Sequence, residues 1–71
     1  MLPAKHDLST REIEVMHCLL LGLSNEEIAK KMGLSVTTIK THLRRIFIKL
    51  EVGSRLQAVY KFNSLNFNNR I

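Results

Sequence analysis

Between Leu34 and Glu51 the apolar residues return every three or four positions, at Val36, Ile39, Leu43, Ile46, Phe47 and Leu50. At about 100° per residue they share one side of a helix, the side that faces a core. The opposite side is centred on Thr41 and flanked by Thr37, Arg44, Arg45 and Ile48. Toward its margins lie Lys40, Thr38, His42 and Lys49, and no acid appears before Glu51.

Punctuation along the chain predicts three further helices. Ser9-Thr10-Arg11-Glu12 and Ser24-Asn25-Glu26-Glu27 have the serine-to-glutamate spacing that satisfies free amides in a first helical turn. Ser54-Arg55-Leu56-Gln57 repeats it with glutamine, and Ser35 caps the remaining helix with Thr38 in the third position. Gly22 and Gly33 can take the left-handed conformation that ends a helix. Helices are therefore expected at about 10–21, 25–32, 36–50 and 55–65. No strand pattern competes, and neither an internal repeat nor a low-complexity tract appears. The connection Met32-Gly33-Leu34-Ser35 is too short for antiparallel packing, so the second and third helices must cross steeply, as in a helix-turn-helix. The expectation is an all-α, compact four-helix domain containing a helix-turn-helix unit at about 24–50, within a domain of 8–66 between a flexible leader (1–7) and a C-terminal tail (67–71).

In the fourth helix Arg55, Ala58, Val59, Phe62 and Leu65 point one way and form the core-facing set. Leu56 and Tyr60 point elsewhere, one turn apart, as candidates for a symmetric homodimer contact. Such a contact would let two third helices reach successive major grooves about 34 Å apart. The first helix is apolar nearly all round, so periodicity alone does not choose its buried side.

Charge sharpens the picture more than length does. The 71 residues suffice for one small domain with a modest stability margin. Five of the six acids precede Ile28, giving −3 over residues 1–27, whereas the acid-free stretch from Ile28 to Leu50 carries +6. Such a basic half suits a polyanion: nucleic acid, an anionic lipid surface or an acidic protein. A helix that enters a DNA groove needs donors for phosphates and base edges, and a carboxylate there is repelled. Hydroxyls and cations without acids meet that need, whereas ordinary solvated faces mix signs.

Other chemistries find little support. Cys18 is the only cysteine, so no internal disulfide or thiolate zinc site is available, which is consistent with a reducing compartment; a cytoplasmic location is expected. His6, His17 and His42 fall on three different segments and form no metal constellation. His17 and Cys18 are adjacent, yet helical neighbours diverge and no orienting acid is evident, so catalysis is not expected. There is no glycine-rich phosphate loop, and no cofactor is implied. The run "VMHCLLLGL" is too short to span a bilayer and "MLPAKHDLST" lacks a signal-peptide middle, so no membrane association is expected.

The text from Leu8 to Val59 resembles the LuxR-type helix-turn-helix family, which includes LuxR, GerE and the C-terminal half of NarL-like response regulators. The pieces "GLSNEEIA", "TIKTHL", "KLEV" and "SRLQAV" carry the resemblance, in the family's order and spacing. It implies a sequence-specific double-stranded DNA-binding domain of a bacterial transcription regulator, with the second and third helices as the reading unit and the fourth as a dimer contact. At matching positions it implies base-edge reading by Lys40, Thr41 and Arg44. Thr38, His42 and Lys49 resemble positions at or beside the phosphate backbone, and Ser24 and Asn25 open the second helix where its amides can meet a phosphate. Thr37 and Arg45 join the backbone set from helix geometry alone. The resemblance also assigns Val15, Met16 and Leu19 to the core, leaving Ile13, His17 and Leu21 on the far side. That strip is either scattered surface or a docking site for RNA polymerase or a sensory domain.

Two positions depart from the family pattern. Glu51 stands where the family usually closes the third helix with glycine, which predicts a differently wound end. Ile48 sits on the DNA-facing side, an apolar group open to contact with sugar or a thymine methyl, and simple exposure is the favoured expectation. Two rival readings stay open: a protein-interaction module using its basic face on an acidic partner, and, more distantly, a small enzyme built around His17 and Cys18. Met1 is compatible with a complete small regulator or with the C-terminal piece of a longer one carrying an N-terminal regulatory domain.

Overall fold

A computed structural model describes the backbone of residues 8–70 and the side chains of residues 8–65. Four helices follow one another: α1 (Thr10–Leu20), α2 (Asn25–Met32), α3 (Val36–Leu50) and α4 (Arg55–Arg70). The leader expected at 1–7, with His6, lies outside the described residues.

Each of the first three helices starts on a serine. Ser9 and Ser24 form complete capping boxes: the Glu12 amide donates to Ser9 Oγ and the Ser9 amide to Glu12 Oε1, and Glu27 and Ser24 repeat this exchange. Ser35 Oγ accepts from the Thr38 amide at 3.1 Å and lies 2.9 Å from Thr38 Oγ1. At α4 the Gln57 amide donates to Ser54 Oγ, but the Gln57 side chain reaches one residue further back, to the Gly53 amide at 2.8 Å.

The helix ends also share one device. Gly22, Gly33 and Glu51 all have positive φ, and each is followed by an apolar residue whose amide bonds back five residues: Leu23 to Cys18, Leu34 to Ala29 and Val52 to Phe47. This pairing consumes the last carbonyls of a helix and folds Leu23, Leu34 and Val52 against the core. At the third end the left-handed residue is Glu51, at φ 58 and ψ 47. The winding is thus the same as at the glycine ends, correcting the expectation of a different one, and the Cβ carries the strain. Glu51→Gly is expected to stabilise the domain by about 0.5–1 kcal/mol, the relieved strain less the greater flexibility of the unfolded chain. Urea unfolding checks this, and an unchanged or lower midpoint would contradict it.

α3 packs against each of the other three helices, and α1 packs against α4 as well. Its residues Ile39, Leu43, Ile46 and Leu50 are buried, and Val36 and Phe47 pack half-buried around them. Opposite them lie Val15, Met16, Cys18 and Leu19 of α1, Ile28 and Ala29 of α2, and Ala58 and Phe62 of α4. Ile13 is half-buried against this core, and the His17 ring meets Phe62 edge-on at 5.9 Å. Of the far-side strip expected on α1, Ile13 is thus half-buried, whereas His17 and Leu21 are exposed.

α4 runs to Arg70, five residues past its expected end, so the segment read as a tail is helical through that residue. Neither glycine nor proline occurs after Gly53 to stop it. Among the described residues no helix is long and apolar enough to cross a membrane.

Candidate nucleic-acid interface

Two stripes of α3 explain how the most central helix can also present a surface. The core stripe, Ile39-Leu43-Ile46-Leu50, advances in steps of four, three and four residues. Displaced by two positions, Thr37-Thr41-Arg44-Ile48 advances in the same steps and therefore points the opposite way. Thr37, Arg44 and Ile48 are exposed and Thr41 is half-buried. Lys40 and Arg45 stand exposed on either side.

The cations of the domain divide by what already holds them. Arg11 pairs with Glu14, Lys49 with Glu12, and Arg55 with groups at the start of α2. Lys40, Arg44 and Arg45 have no hydrogen-bond or ion-pair partner among the described residues. These three can turn to an external anion without breaking an internal contact.

Lys49, expected beside a phosphate backbone, is drawn inward instead. Its Nζ donates to Glu12 Oε1 at 2.8 Å, and the two side chains retain 34% and 3% of their exposure. Burial alone would raise the Glu12 carboxyl. The Lys49 hydrogen bond and charge, with the Ser9 amide and hydroxyl, outweigh that and hold it below the ordinary glutamate value.

The remaining expected positions are placed as follows. Thr38 is half-buried, with its hydroxyl engaged at the Ser35 cap. His42 is half-buried on the same flank, its Nδ1 sequestered without a hydrogen-bond partner among the described residues. Thr41 Oγ1 donates to the Thr37 carbonyl at 3.2 Å, which leaves its lone pairs as outward acceptors. Ser24 is taken up by its capping box. Asn25 Oδ1 accepts from Arg55 Nη1 at 2.8 Å, while Arg55 Nη2 donates to the Leu23 carbonyl at 2.7 Å. Arg55, expected simply to face the core, thus clamps the α1–α2 turn to the first turn of α4. Ser24, Asn25 and Arg55 line a shallow concavity together with Lys40, so the start of α2 and the margin of the α3 stripe form one surface. Glu26 and Glu27 also line it, and they set its limit as an anion site.

On the outer face of α4, away from its buried Ala58 and Phe62, Leu56 and Tyr60 are 77% and 80% exposed. They border a groove with Val52, Lys61 and Leu65.

The family model for "Bacterial regulatory proteins, luxR family" matches residues 6–62. The chain belongs to that family. Among LuxR-family relatives, the nitrate/nitrite response regulator protein NarP of Escherichia coli is 44% identical over 55 residues, covering 78% of this chain and 26% of NarP. The CsgBAC operon transcriptional regulatory protein of the same species is 46% identical over 52 residues, covering 73% of this chain and 24% of that protein. The chain thus spans about a quarter of the length of these two relatives. The crystal structure of response regulator ChrA, from a heme-sensing two-component system, superposes with a TM-score of 0.81 at 42% identity, over 83% of this chain and 29% of that one. The four-helix LuxR-type fold expected from the motifs is the fold found, and its helix-turn-helix is α2 and α3.

Proposed function

We propose that this domain binds double-stranded DNA sequence-specifically for a transcription regulator, with α3 in the major groove. The observation that carries the reading is the outward stripe of α3, which presents hydroxyls and internally unengaged cations and no carboxylate. Lys40, Thr41 and Arg44 read base edges: the two cations donate to guanine, and the Thr41 oxygen accepts from a base amino group. Thr37, Thr38, Arg45 and His42 lie along the phosphates, and the Asn25 and Glu26 amides at the start of α2 meet another, with Ser24 shaping that turn. Lys49 is left out of this set because Glu12 already holds its ammonium.

Selection from a pool of random duplexes tests the reading, since one experiment reports binding, site sequence and half-site spacing. Enrichment of a defined site is expected. Silence toward every duplex at low ionic strength would overturn it, and capture of an acidic protein by the same face would then take its place.

Leu56 and Tyr60 serve a homodimer on DNA, with two α3 helices in successive major grooves. Replacing both with serine is expected to weaken binding to a two-half-site duplex roughly tenfold while leaving a single half-site unaffected, because only the linkage between the two binding events is lost. Sedimentation of the complexes checks this, and a 1:1 complex of the unaltered protein on the two-half-site duplex would contradict it. Where the domain is part of a longer protein, the regulating signal reaches it from an N-terminal regulatory domain, and RNA polymerase is a further partner; NarP and ChrA, to which the chain is similar, are response regulators. The protein acts by binding in the cytoplasm, without catalysis.

A further inference from the structure

Ile48 is the one apolar member of the outward stripe, and it is 69% exposed. Its stripe-mates Thr37, Thr41 and Arg44 all offer polar groups, and it borders a hollow with Lys40, Arg44, Phe47 and Val52. Burying Ile48 in the fold is not an option, since the core stripe occupies the other side of the helix. A branched alkyl group standing among cations gains from a polyanion only where the polyanion itself offers an apolar surface. In the major groove that surface is the C5 methyl of thymine, which no other standard base carries.

We infer that Ile48 is a specificity-determining residue that packs on a thymine methyl in the site bound by α3. The inference rests on the DNA-binding reading above. Ile48 lies one turn beyond Arg44 and two turns beyond Thr41, about 10 Å further along the axis than Thr41. The thymine is therefore expected roughly three base pairs from the base that Thr41 meets. Pairing two apolar surfaces there makes the position selective against cytosine, whose C5 bears hydrogen.

The test replaces thymines of the selected duplex one at a time with deoxyuridine, which removes the methyl and leaves base pairing unchanged. Fluorescence anisotropy then measures affinity for the unaltered protein and for Ile48→Ala. For the unaltered protein, one deoxyuridine position, or its symmetry mate, is expected to cost about fourfold in Kd, the factor associated with one buried methyl group. Ile48→Ala should bind the thymine duplex with a similar loss and show no further loss at that deoxyuridine. Because the side chain is exposed, the thermal unfolding midpoint of Ile48→Ala should match that of the unaltered protein. Indifference to deoxyuridine at every position, or an equal deoxyuridine penalty in both proteins, would overturn the inference. A loss in Ile48→Ala that is the same on all duplexes would also overturn it, assigning Ile48 to a contact between subunits. In each of those outcomes the protein still binds its selected site, so the DNA-binding reading survives. Absence of any binding would instead remove that reading.

Discussion

Lys49→Ala is expected to destabilise the domain by about 3 kcal/mol, at the lower edge of the usual cost of breaking a buried ion pair because Lys49 is itself one-third exposed. For a chain of this length, total stability is roughly 4–10 kcal/mol, so the variant approaches unfolding. The cost arises on the carboxylate side. Glu12 is nearly inaccessible and would keep only the Ser9 groups as partners. Burial would then dominate and push its carboxyl upward. In the unaltered protein the native carboxyl titrates below its unfolded value of about 4.3. The pair's contribution is thus fully present above that value and disappears as pH falls through the lower native one. The gap between unaltered protein and Lys49→Ala should accordingly be constant near neutrality and close in acid. Combining Glu12→Gln with Lys49→Met should restore most of the loss, since glutamine still accepts from the Ser9 amide and no charge is left buried. Urea unfolding followed by circular dichroism measures all three, and a Lys49→Ala midpoint equal to that of the unaltered protein would refute the assignment.

This ion pair marks where local pattern stops being informative. The caps, the helix starts and the two sides of α3 depend on spacings of three and four residues, and these are written in the chain. Glu12 already had a complete local explanation in the Ser9 capping box, so nothing in the pattern asked for a second partner 37 positions away. Lys49 sits at the margin between the two sides of α3, where a lysine stem can lean either way. Only the packing of α1 on α3 decides it. Arg55 is a similar case. Periodicity correctly turns it inward, but the carbonyl of Leu23 and the amide of Asn25 that receive it are brought there by the α1–α2 turn. Glu51 shows the reverse: residue type predicted a different helix end, whereas the left-handed turn is kept, closed by the bond from the Val52 amide to the Phe47 carbonyl with Val52 packed against the core. The outward side of α3 was legible because a helix surface that lacks one sign of charge is a property of the sequence itself.

On DNA, the largest expected effect is that of Arg44→Ala, about 1–3 kcal/mol on the selected site and little on random duplex. Three features make Arg44 the position of choice. It lies on the central outward stripe, where a groove is deepest against the helix. Its guanidinium has no partner among the described residues, so none must be surrendered on binding. Its planar fork can donate twice to the O6 and N7 of one guanine. Arg44→Lys separates charge from geometry, because lysine keeps the cation but not the fork. That variant is expected to retain nonspecific affinity and the slope of log affinity against log salt while losing discrimination at the guanine. Should Arg44→Ala instead weaken selected and random duplexes alike and flatten the salt slope by about 0.9, the residue contacts a phosphate, and base reading falls to Lys40 and Thr41. The two outcomes differ in whether selectivity is lost rather than in the size of the effect on the selected site, so affinities on two duplexes at two salt concentrations decide between them.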